Sequence, residues 1–174
     1  MSRAFASAVI SLLLSAAAAP ARAYEDQASV DAEVAYVHAF SKEFSARNGV
    51  AVGAGATLGL SNVLSLRGQF MWAFHPSEDP LASVAWVSAE LVYLIDVLEV
   101  VPYFGAGADF AALVRSGAGA ELNAGAHPVI GFDYLVSREL TIGMQVRPVL
   151  LLTAIDTRPV YLQLGVTLSY LFDT

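Results

Sequence analysis

The sequence predicts an all-β fold, an eight-stranded antiparallel up-and-down transmembrane β-barrel, on three observations. The first is strict alternation over residues 160–172: Val160, Leu162, Leu164, Val166, Leu168, Tyr170 and Phe172 are apolar, and Gln163, Gly165, Thr167 and Ser169 between them are polar or small. A period of two belongs to a strand with one apolar and one polar face, and roughly nine to eleven residues suffice for a tilted strand to cross a bilayer. The second is composition: 56% of the residues are hydrophobic and only 14% charged, against about 25% charged in soluble domains. Past the N-terminus, however, no uninterrupted apolar run reaches the roughly twenty residues of a membrane helix. The third is recurrence, since seven further stretches repeat the alternation.

The N-terminus reads as a targeting segment. Arg3 supplies a positive start, residues 4–19 are small and apolar around Leu12, Leu13 and Leu14, and Pro20 ends the run. Ala21-Arg22-Ala23 has the small-x-small form of a signal-peptidase site. Residues 1–23 are therefore expected to be a cleaved secretory signal peptide, with residues 24–174 forming the barrel domain.

The first predicted strand, 29–40, places Val30, Ala32, Val34, Tyr36 and Phe40 on one face and Asp31, Glu33 and Ala35 on the other. The second, 48–60, alternates Val50, Val52, Ala54, Ala56, Leu58 and Leu60 with a glycine-rich face, which suits a crowded, sharply curved wall. The third, 63–74, turns Leu64, Leu66, Phe70, Trp72 and Phe74 outward and Ser65, Arg67 and Gln69 inward. The fourth, 81–95, could alone be an amphipathic helix with Glu90, Asp96 and Glu99 on one side; its β-branched and aromatic content favours a strand with Glu90 inward. The fifth, 100–113, directs Tyr103, Gly105, Gly107 and Asp109 inward; the sixth, 124–135, directs His127, Gly131 and Asp133 inward; the seventh, 140–152, does so with Thr141, Gly143, Gln145 and Arg147. Tight turns at 61–62, 96–99 and 137–139 alternate with longer outer loops at 41–47, 75–80, 115–123 and 153–159. An even strand count with short turns on one side is the pattern of outer-membrane barrels. Closure follows physically, because an open sheet edge in lipid leaves unpaired backbone groups.

Several function classes are disfavoured. A net charge of −7 and a pI near 4.7 argue against nucleic acid. There is no cysteine, hence no disulfide framework and no thiol nucleophile. His75 with Glu78 and Asp79 makes a poor metal set, and no cofactor is expected. His38, His75 and His127, with Ser41 and Ser77 nearby in sequence, form no convincing acyl-transfer arrangement, so no enzyme is expected.

Two segments carry a family likeness: Pro102-Tyr103-Phe104-Gly105-Ala106-Gly107-Ala108, and the C-terminal pattern Gln163-x-Gly165-x-x-Leu168-x-Tyr170. With the signal peptide they make the chain resemble the small eight-stranded outer-membrane β-barrels of Gram-negative bacteria, the OmpA-like and OmpW-like group. The likeness implies residence in the outer membrane, lipid as surroundings, and recognition of Gln163, Gly165, Leu168 and Tyr170 by the barrel-assembly machinery. One departure is that Asp173 and Thr174 follow Phe172, where relatives often end on the aromatic. Because that group hosts adhesins, structural barrels, narrow channels and a few enzymes, fold does not decide activity. The expected role is non-enzymatic, in membrane structure or surface interaction. The alternatives are a narrow channel for small solutes or ions and a soluble periplasmic barrel binding an apolar ligand.

The candidate site is the inward charged set. Asp31, Glu33, Glu90, Asp109 and Asp133 are expected to share the barrel interior with Arg67 and Arg147, and His127 can join either side. An eight-stranded barrel is just wide enough for its own side chains, so these charges must be paired or wetted. Arginine bridges to several of the carboxylates are the expected solution.

Overall fold

The computed structural model describes residues 27–40, 47–76, 82–95, 99–115, 119–156 and 160–173. The predicted signal peptide, its Ala21 and Ala23 cleavage site, and Ser41, Ser77, Glu78 and Asp79 lie outside the described residues.

Eight strands follow one another: β1 (Gln27–Phe40), β2 (Asn48–Gly59), β3 (Leu64–His75), β4 (Ala82–Leu94), β5 (Val100–Arg115), β6 (Glu121–Leu135), β7 (Leu140–Leu151) and β8 (Val160–Asp173). Each pairs antiparallel with its sequence neighbour, and β1 pairs with β8 from Gln27↔Asp173 to Phe40↔Val160, closing the barrel without an edge. Closure satisfies the backbone within the sheet, as a hydrocarbon surrounding demands.

The alternation in the sequence is the alternation of the wall. Val30, Val34, Phe70, Trp72, Val87, Phe104, Ile130, Phe132, Met144, Leu164 and Val166 stand exposed on the outside, while Glu33, Arg67, Gln69, Glu90, Asp109, His127, Gln145 and Arg147 are buried inside. No Asp, Glu, Lys or Arg occupies an outward position of the described strands. The outer aromatics gather towards the two ends. Trp72 stacks on Phe74 at the loop end, with ring centroids 5.9 Å apart, and Tyr93 packs on Phe104 at 5.4 Å towards the end that carries the chain termini. Aromatic residues with an apolar body and a polar tip favour such interfacial positions.

The interior is layered. At the loop end Val37, Met71, Val84, Trp86, Leu113, Val149, Leu151 and Tyr161 form an apolar cluster. A charged layer crosses the middle. Below it a smaller apolar group, Val92, Leu94, Val101, Tyr103 and Val129, lines part of the terminal half.

Two boundaries differ most clearly from the sequence-based expectation. His75, expected in a loop, is the last residue of β3 and is fully buried, its ring edge-on to Tyr161. The ladder from Phe74↔Ser83 continues to His75↔Ala82, so the strand runs until the pairing ends. β6 begins at Glu121, three residues earlier than the hydrophobic alternation suggests. The single 3-10 turn Leu152–Ala154 accounts for this: Thr153 Oγ1 accepts from Ala124 N (3.0 Å) and donates to Asn123 Oδ1 (3.1 Å), pinning the early residues of β6.

Candidate functional site

The charged layer has two centres. Glu33, on β1, is 2% exposed and makes no ion pair with an arginine among the described residues; amide donors from three other strands surround it. Gln145 Nε2 (β7) donates to Glu33 Oε2 at 2.8 Å, Gln163 Nε2 (β8) donates to Oε1 at 2.7 Å, and Gln69 Nε2 (β3) also donates to Oε2. Hydrogen bonds to an ionised acceptor are the stronger kind, so three neutral amides can hold one carboxylate in a dry interior.

Glu90, on β4, is held by cations. Arg67 Nη1 lies 3.4 Å from its Oε1, Arg147 Nη2 3.4 Å from its Oε2, and His127 Nε2 2.8 Å from the same Oε2. The other nitrogen of His127, Nδ1, lies 2.6 Å from Asp109 Oδ2. An imidazole protonated at both nitrogens would donate to both acids, and a neutral one to a single acid. The centres are joined: Arg147 Nη1 donates to Gln69 Oε1, and Arg67 Nη1 donates to Gln145 Oε1 at 3.3 Å. Arg67 also lies over the Tyr103 ring at 4.8 Å, and Tyr103 donates to Gln145 Oε1 at 3.2 Å.

Two glycines make room for this layer. A Cβ on Gly165 would strike Glu33 Oε1, and one on Gly107 would meet His127 Cε1 at 2.7 Å. Both positions therefore admit a neighbour's functional group where any side chain would exclude it.

Arginine bridges run to Glu90 and, more loosely, from Arg67 to Asp133 at 3.9 Å. Asp109 is held by histidine and Glu33 by amides. Asp31 and Asp133 instead line a polar cavity of about 50 Å³ that is reached from the terminal end, with Ser65, Thr141, Thr167 and Ser169 beside them. Asp31 Oδ2 has no hydrogen-bond partner among the described residues. Sequence reasoning noted Gln69 and Gln145 only as inward residues and assigned Gln163 and Gly165 to an assembly signal. In the fold, Gln163 is buried and bonded to Glu33, whereas Leu168 and Tyr170 face outward. The signal for these amides lies in the excess of inward acids over arginines, which requires other donors.

No protein-family model matches the sequence, and no curated protein matches it significantly. Solved structures do. Neisserial surface protein A (NspA) superposes with a TM-score of 0.73 at 18% identity, covering 82% of this chain and 96% of that one. The N-terminal β-barrel domain of Pseudomonas aeruginosa OprF gives 0.61 at 14% identity, covering 85% and 98%. Ail, the attachment invasion locus protein of Yersinia pestis, gives 0.59 at 13% identity, covering 85% and 99%. The fold is that of the small eight-stranded outer-membrane barrels. At these identities the likeness concerns the backbone fold alone.

Proposed function

We propose that this protein is an integral outer-membrane barrel with a sealed lumen and a non-enzymatic role in envelope structure or surface interaction. The single observation that carries the proposal is the filled interior. A layer of hydrogen bonds and ion pairs spans the lumen from Glu33 to Asp109, and an apolar cluster that includes Met71, Trp86 and Leu151 fills it towards the loops. A solute path would have to break both. The uninterrupted apolar exterior supports a lipid surrounding, since soluble monomers rarely expose contiguous apolar patches beyond a few hundred Å². It also disfavours a soluble ligand-binding barrel, whose faces would be reversed.

The Asp109–His127–Glu90 arrangement resembles the orienting part of a catalytic set, but its surroundings are packed. The void beside Asp109, about 20 Å³ and otherwise lined mostly by apolar residues, offers no room for a substrate. A surface role of the attachment kind named for Ail would fall to the loops around 41–47, 76–81, 116–120 and 152–159. Their brevity favours contact with a partner through a small epitope. Export by residues 1–23 and delivery to the assembly machinery through Gln163, Gly165, Leu168 and Tyr170 complete the proposal.

Planar-bilayer recording on the refolded protein tests the sealed lumen. The expected result is no conductance step above the lipid baseline, whereas reproducible unitary steps would favour the narrow-channel alternative. N-terminal sequencing of the protein taken from the outer membrane is expected to begin at Tyr24; a chain beginning at Met1 would remove the signal-peptide assignment.

A further inference from the structure

The wall has one interrupted seam among its described ladders. Between β6 and β7 pairing runs through Gly125↔Leu151 and Ala126↔Leu150, lapses, and resumes at Ile130↔Val146. Holding the register across the gap sets Pro128 opposite Pro148. Proline has no N–H to give to a ladder, and central strands normally exclude it. Here two prolines face each other, so neither strand can donate at that rung and the bridges on both sides of it fail together. Each proline keeps its place on its other side, Pro128 against Ala106 of β5 and Pro148 against Leu162 of β8. The break is therefore confined to the β6–β7 seam, at mid-wall, where no water can replace the lost bonds.

The residues beside the gap are two of the lumen's basic side chains. His127 precedes Pro128 on β6, and Arg147 precedes Pro148 on β7; both reach Glu90 Oε2, at 2.8 and 3.4 Å. Glu90 stands on β4, across the lumen, and belongs to neither strand of the seam. We propose that Glu90 is a clasp: its carboxylate, gripping a basic side chain from each strand, takes the place of the missing backbone bonds and holds the seam shut. The other groups facing it are consistent with this role. Arg67 on β3 engages Oε1, to which Arg147 Nη2 also donates at 3.5 Å, and Asp109 on β5 approaches His127 at its far nitrogen. The seam is thus the first part of the wall to open when the clasp is removed, and the lumen's charge state is coupled to the integrity of the wall.

Residue-resolved amide hydrogen exchange on the refolded barrel in detergent micelles or lipid nanodiscs tests the clasp. In Glu90→Gln, which keeps size and removes charge, the amides of Ala126, Ile130, Val146 and Leu150 bordering the gap are expected to exchange faster by about tenfold or more, with β1–β2 amides such as those of Val34 and Val52 unchanged. An unaltered seam, or a uniform acceleration in every strand, would overturn the proposal. A second variant does not depend on Glu90→Gln folding. Pro128→Ala with Pro148→Ala restores both donors and is expected to slow the bordering amides by about tenfold in the presence of Glu90. In that background Glu90→Gln should no longer accelerate them selectively. Bordering amides that exchange in the double alanine variant as they do in the parent would show that the prolines leave no gap to clasp, and the proposal would fall.

Discussion

Glu33 and Glu90 are both buried carboxylates, and they are stabilised by opposite means. Glu33 depends on three glutamine amides and Glu90 on two arginines and a histidine. The two sites should respond differently to substitution. In Glu33→Gln an amide nitrogen would face donors where an oxygen now accepts. Net hydrogen bonds to charged groups are worth about 1.5–3 kcal/mol each, so a loss of about 3 kcal/mol or more is expected in urea unfolding from lipid vesicles; an unchanged midpoint would contradict the hydrogen-bonded geometry. Arg147→Ala leaves Glu90 buried with one cation fewer and Gln69 Oε1 without its donor. Breaking a buried pair from one side costs about 3–5 kcal/mol, and the same unfolding assay should register a loss of that size. An unaltered curve would count against the network.

At the scale of one strand, β8 serves two ends. Its alternation announced it from the sequence, and its outward Leu168 and Tyr170 suit recognition by an assembly factor. Its inward Gln163, however, donates to Glu33, and its inward Gly165 leaves the space that Glu33 Oε1 occupies. Gly165→Ala places a methyl group against Glu33 Oε1, and overpacking of this kind costs about 1–3 kcal/mol. Its refolding yield should therefore fall even in vitro, where no assembly machinery is present; a defect seen only in cells would return Gly165 to the signal alone. Tyr170→Asp is the complementary case. Tyr170 is exposed, and its hydroxyl donates to Glu139 Oε2 at 3.2 Å, so its defect is expected in outer-membrane yield from cells, with refolding into detergent preserved.

The parity of every strand could be read from the sequence, because alternation is local: Glu90 inward on β4 and Arg147 inward on β7 follow from their immediate neighbours. The partners could not be read, because they depend on stagger accumulated around the closed sheet. Glu33 meets glutamines from β3, β7 and β8, and Asp109 meets His127 diagonally while Gly125 is its ladder partner. No single strand records that offset. His75 was misplaced for a related reason: a polar residue before a proline-containing stretch looks like a loop until the ladder is seen to reach it.

For the whole molecule, the outside and the inside make one consistent case. The outward positions of the described strands carry no Asp, Glu, Lys or Arg, packed side chains cross the lumen beyond the small terminal cavity, and the backbone closes on itself apart from the proline seam. Such an object is stable where hydrocarbon surrounds it and would aggregate in water. The most direct test is gel mobility in SDS of the washed outer-membrane fraction, heated against unheated. A sealed membrane barrel predicts that the protein is found in that fraction and migrates as a compact band until heating unfolds it. Recovery in the soluble periplasm, with identical mobility before and after heating, would contradict the membrane assignment and the orientation of the wall together.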